Sequence, residues 1–91
     1  MTRPSLLANL TEERAVLEAA LRLVALPSLG VARCRWLLDA VAAPVVVENL
    51  LRGRLPKHLP SPLVPVRAEH VDKWRDQLRD QDVSQLVSRN L

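Results

Sequence analysis

Leu26-Pro27-Ser28-Leu29-Gly30-Val31-Ala32-Arg33-Cys34-Arg35-Trp36-Leu37-Leu38 is the stretch whose reading decides the fold. Upstream of it, across 11–26, Arg14, Glu18 and Arg22 recur every four residues in a background of Ala, Val and Leu. That spacing stacks three charges of alternating sign into one stripe along a helix. Pro27 and Gly30 interrupt the pattern, and Val31, Cys34, Leu37, Leu38 and Val41 resume it at spacings of three and four. Two helices joined by a tight turn at 27–30 follow from this. The first has so narrow a polar face that it is expected to be the central helix, surrounded by others or paired with a partner chain. Its start is capped either by Asn9, three residues before Glu12, or by Thr11.

Working towards the C-terminus, the second helix spans 31–43 and ends at Ala42-Ala43-Pro44. Pro44 suits the first position of a third helix, 44–52, because its missing N–H has no partner there. Val45-Val46-Val47 within it reads equally as a short strand. Gly53 closes the helix. Pro56, Pro60, Pro62 and Pro65 then forbid helix over 54–66 and favour a stiff, extended backbone. Leu55, Leu59, Leu63 and Val64 of this segment are expected to lie across the helices. A last helix, 67–81, carries the stripe Val71, Trp74 and Leu78. The tail, 83–91, either begins a strand or extends that helix. Ninety-one residues accommodate one domain. The expectation is a single all-α domain, 1–91: a small orthogonal bundle of four to five short helices, SAM-like or helix-hairpin-helix-like.

Composition narrows the function. A chain that is 48% hydrophobic and 25% charged folds. Its aromatic residues are only Trp36 and Trp74, too few for a platform on which nucleic-acid bases stack. One cysteine, Cys34, excludes an internal disulfide, and it falls on the apolar side of the second helix, where a thiol behaves as a small hydrophobe. Cys34, His58 and His70 lack zinc-type spacing. The carboxylates are scattered, and Gly30 and Gly53 cannot make a Gly-rich phosphate loop. No enzyme, metal or cofactor is expected. The most apolar stretch, 15–31, carries Glu18 and Arg22 and is short for a membrane span, and 1–10 does not resemble a secretory signal. A cytoplasmic location without membrane contact is the corresponding expectation.

The net charge of +3 is localised. Residues 1–30 and 67–91 are each balanced, so the excess lies in 31–66, where Arg33, Arg35, Arg52, Arg54 and Lys57 meet only Asp39 and Glu48. Any polyanion is expected there. The turn beside it has the layout of a helix-hairpin-helix element, in which backbone N–H groups of the turn and of the next helix point outward and bind a phosphate oxygen. The expected DNA-binding residues are therefore Ser28, Leu29, Gly30 and Val31 through their backbone, with Arg33, Arg35, Arg52, Arg54 and Lys57 supplying charge. Such contact reads no sequence. Ser28 stands where the hairpin normally has a glycine at positive φ. Serine can instead cap the second helix and occupy the donors that phosphate needs.

Residues 21–44, LRLVALPSLGVARCRWLLDAVAAP, resemble the N-terminal helical domain of the DNA-processing protein A (DprA, also called Smf) family. In that family a helix ends in a Leu-Pro-Gly-Ile-Gly-like turn, the next ends in Leu-Leu before a Phe-Gly-Ser-Pro-like stretch, and a short helix begins at the proline. Leu26, Pro27, Leu29, Gly30, Leu37, Leu38 and Pro44 match; Ser28 replaces glycine, Cys34 a small residue, Val41 phenylalanine and Ala42 glycine. About a quarter of the chain is covered. Members bind single-stranded DNA and help load the recombinase RecA during natural transformation. Their main DNA-binding and dimerising surfaces lie in a Rossmann-like domain, expected beyond Leu91, so only an accessory role carries over. The resemblance implies an accessory DNA-binding domain for DNA processing and recombination, with single- or double-stranded DNA and a RecA-type recombinase or another DNA-processing protein as partners. The alternative is a protein–protein interaction or dimerisation module without DNA binding, motivated by the surplus apolar surface of the first helix.

Overall fold

Helix formation starts earlier than either expected cap. In a computed structural model that describes residues 4–62 and 64–90, with side chains from residue 12, α1 spans Pro4–Val24 and runs through Asn9 and Thr11, so neither caps it. α2 (Val31–Ala40), α3 (Ala43–Leu51), α4 (Ala68–Asp80) and α5 (Val83–Asn90) complete the chain, and no strand occurs among the described residues. Among the described residues the fold is thus a small all-α bundle of five helices.

Among the described side chains, α1 contributes to the core through its C-terminal half. It packs against α3 and α5 and more lightly against α2, and it buries Ala19 and Leu23 while residues 12–17 are exposed, Val16 and Leu17 included. The narrow polar stripe could not show this, because the same residue type occupies both environments: Leu17 is 52% exposed and Leu23 is fully buried. Of the stripe, Arg22 is held. Its Nη2 donates to the Leu78 carbonyl (2.9 Å) and its Nε to Gln81 Oε1 (3.0 Å), while Gln81 Nε2 returns a bond to the Arg22 carbonyl (2.7 Å). The Leu78 carbonyl lies in the last turn of α4 and also accepts the Gln81 N–H at 3.3 Å, so this clamp gives it a second donor as it ties α1 to the α4–α5 junction.

Ala42, extended at φ −61 and ψ 140, caps α3 and puts Pro44 in its first turn. The valine run is helical. Val46 and Val47 are buried and Val45 is exposed, with Ala43 and Leu50 completing the inner face; a strand would have put Val45 and Val47 on one side. Gly53 ends the helix at φ +76, donating to the Leu50 carbonyl at 2.9 Å.

The proline segment crosses α2 as expected and is pinned to it. Trp36 Nε1 donates to the Pro60 carbonyl (2.8 Å) and Arg33 Nη2 to the Pro65 carbonyl (2.9 Å). Leu55, Leu59 and Val66 pack on the core, whereas Val64 points outward and Leu63 lies outside the described residues. α4 buries Val71, Trp74 and Leu78 as its spacing predicts, and its first turn is closed by the Arg67 N–H donating to His70 Nδ1 at 2.9 Å. The tail neither extends α4 nor forms a strand. Gln81 is extended, and α5 starts afresh with Asp82 Oδ1 accepting the Gln85 N–H at 3.0 Å.

Candidate functional site

The turn between α1 and α2 is held from below by two leucines. Leu26 and Leu29 are buried, the latter 1% exposed, and the Leu29 N–H reaches the Leu26 carbonyl at 3.4 Å. Leu29 thus offers the expected phosphate site no side chain. Gly30 follows at φ +81 and ψ 160, a conformation that side chains resist, yet a Cβ there would meet nothing within 4 Å. Glycine is required for its backbone geometry, and the space in front of it is open.

Ser28 does neither of the two things expected of it. Positive φ among the described residues is confined to Gly30, Gly53 and His58, so serine is unstrained at 28. Its Oγ donates to Gln77 Oε1 at 2.9 Å, tethering the turn to α4. α2 consequently has no side-chain cap; its N-cap is Gly30, whose carbonyl accepts the Cys34 N–H at 3.0 Å. The N–H groups of α2's first turn, which have no intrahelical acceptors, are left open by side chains.

The five cations do not converge. Arg33 is half-buried, bonded to Pro65 and with its guanidinium carbon 5.8 Å from the Trp74 ring centroid; it fastens the proline segment and is not free charge. Arg52 pairs with Glu48 at 2.9 Å one turn back, both exposed, a contact worth a few tenths of a kcal/mol. Arg54 Nε donates to Asn49 Oδ1 at 3.2 Å, and Arg54 lies with Arg67 in a depression at the start of α4. Lys57 is exposed beside His58, whose φ is +63. Arg35 alone stays near the turn as an exposed cation with no side-chain partner among the described residues. The depression it lines and the one holding Arg54 share no residue.

Sequence reasoning missed two grooves that flank α2. One, of about 680 Å³, runs between α2 and the proline segment and is walled by Val31, Trp36, Pro60, Pro62 and Val64. The other, of about 440 Å³, lies towards α1 and is walled by Val24, Pro27, Val31 and Leu38. Val31, Arg35 and Asp39 form the ridge between them. Val31 belongs by spacing to the inner stripe of α2 but is 84% exposed, and Val24 is 70% exposed. The signal was available in Val31 itself. At the first position of its helix, next to a glycine that turns the chain outward, it has no neighbour to cover it.

Cys34 is buried among the core residues, and burial pushes its thiol above the ordinary value, the opposite of an activated nucleophile. No group of three His, Cys, Asp or Glu side chains converges as a metal site among the described residues. No helix among them is long and apolar enough to cross a membrane. Comparison of the chain with protein-family profiles, with characterised proteins and with solved structures finds no match.

Proposed function

We propose that this chain is an accessory DNA-binding domain of a DNA-processing protein of the DprA type, acting in DNA uptake, transformation and recombination, and that it touches phosphate without reading sequence. The observation that carries this reading is the first turn of α2, which has no side-chain cap, opens beside an unobstructed Gly30 and has Arg35 within reach. Backbone N–H groups at a helix N-terminus, aligned with the helix dipole, are a ready anion site. The resemblance of residues 21–44 to the DprA family supports the same setting and adds a RecA-type recombinase as a partner. Contact is made by the backbone of Ser28, Gly30 and Val31 together with Arg35, with Arg52, Arg54 and Lys57 as outlying charge, while the Leu29 N–H is taken by the Leu26 carbonyl. Arg33 is removed from the contacting set.

A titration with a short duplex and a single strand at low salt, followed by backbone amide chemical shifts, tests this. Shifts are expected at residues 28–36, with a salt dependence equivalent to about one or two neutralised phosphates. Their absence at low salt refutes the reading. A second reading, a protein-interaction module, is favoured by the apolar grooves beside α2.

A further inference from the structure

The ridge of α2 carries Arg35 and Asp39 four residues apart, both exposed and neither engaged by another side chain among the described residues. They are one helical turn, about 6 Å, apart along the axis. The order, cation towards the N-terminus, is the poorer one for an intrahelical pair. On either side the surface is apolar: Val24, Pro27 and Leu38 on one flank, Trp36, Pro60, Pro62 and Val64 on the other. An occupant of this face must cover two apolar troughs and meet one positive and one negative charge in a fixed order.

We propose that the occupant is a second copy of this chain, packed α2 against α2 in antiparallel fashion about a two-fold axis passing over the level of Leu37. Charge complementarity selects it. Reversing a helix that presents a cation and then an anion one turn later presents the anion and then the cation. Arg35 of each copy therefore faces Asp39 of the other, and two ion pairs form with no like charges opposed. Parallel packing would set Arg35 against Arg35. A purely acidic partner would repel Asp39, and a purely basic one Arg35. An isologous interface needs a self-complementary patch, and this ridge is one. The same rotation lays each trough against its own image, the Trp36 and Pro60 flank of one copy facing that of the other and the Val24 and Leu38 flank likewise, so that each trough is closed by an apolar wall. The inference goes beyond phosphate contact and does not depend on it, since it is read by mass and not by DNA affinity.

The test is sedimentation equilibrium of the full chain up to about 0.5 mM, a range that detects even millimolar association. The wild type is expected to form dimers reversibly. Arg35→Glu and Asp39→Arg each oppose like charges and are expected to weaken dimerisation at least about tenfold. The double variant Arg35→Glu/Asp39→Arg restores two opposite-sign pairs and is expected to return to within about threefold of wild type. Val31→Asp, which charges both troughs, is expected to abolish it. All three positions changed are on the surface, and far-UV circular dichroism verifies that the helices persist. A wild-type monomer across the whole range overturns the proposal, and so does a double variant as weak as the singles.

Discussion

Arg33 and Arg35 sit two residues apart with the same charge, and their truncation is expected to have opposite consequences. The Arg33 guanidinium donates to the Pro65 carbonyl at 2.9 Å and lies 5.8 Å from the Trp74 ring centroid. A hydrogen bond from a charged donor contributes about 1.5–3 kcal/mol, and the partly open position of this one places it at the low end. A half-covered cation–π contact adds about 0.5–1 kcal/mol. Arg33→Ala therefore destabilises the domain by about 2 kcal/mol. For a chain of this length that lowers the melting midpoint by about 8–16 °C. Arg35→Ala removes only exposed side chain and stays within about 0.5 kcal/mol of wild type. Arg33→Lys keeps the charge but loses the planar fork that reaches the carbonyl and covers the ring, and it falls between the two. Thermal and urea unfolding by circular dichroism read all three. Equal midpoints for Arg33→Ala and Arg35→Ala would refute the assignment of Arg33 to the scaffold. In the amide-shift titration the ranking reverses, and Arg35→Ala weakens DNA contact while folded Arg33→Ala largely retains it.

Gly30→Ala tests backbone geometry apart from packing. A Cβ at 30 meets nothing within 4 Å, so any destabilisation comes from φ +81 and ψ 160; a loss of about 1–3 kcal/mol is expected in chemical unfolding, and a neutral variant would show that the turn relaxes freely. Cys34 tests burial. Its thiol is pushed up by desolvation, so the folded chain keeps a proton that the unfolded chain releases at alkaline pH. Its contribution to stability is complete below the unfolded thiol's pKa and is lost as pH rises through the folded one. Thiol labelling is expected to be far slower in the native chain than in urea. Equal rates would place the sulfur at the surface.

The bundle was legible where spacing reports burial directly. Val71, Trp74 and Leu78 lie inward, and the described part of the proline segment crosses α2 without helix. It was illegible where one residue type serves two purposes. In α1 the apolar residues of 11–26 divide, with Ala19 and Leu23 buried and Ala15, Val16, Leu17 and Val24 exposed, and a period shows which side of a helix is apolar but not how far along it the neighbours reach. Asn9 and Thr11 are good caps by chemistry, yet Pro4 offers a start further upstream. The tail at 83–91 has too few apolar residues to establish a period, and what makes it a helix is local: Asp82 accepting the Gln85 N–H, and packing against α1. For the candidate site, the turn was legible because Pro27 and Gly30 punctuate it. The destination of the Ser28 hydroxyl was not, because Gln77 is 49 residues away in sequence. Nothing in a linear charge count distinguishes Arg33, turned in over Trp74, from Arg35, turned out.

The localisation of the +3 charge to the middle third therefore means less for DNA than its arithmetic suggests. Arg33 is committed to the proline segment and Trp74, Arg52 is neutralised by Glu48, and Arg35 shares its ridge with Asp39. Arg54 lies in a separate depression, so the turn itself receives little diffuse positive potential. Phosphate contact here must rest on aligned N–H groups, which are directional and short-ranged, and not on a field that gathers a polyanion from a distance. On the proposed reading, such a site would position DNA that another part of an assembly already holds and would contribute little capture of its own. The same shortage of net charge lets α2 face another α2, because a strongly basic ridge could not tolerate its own image across a two-fold axis.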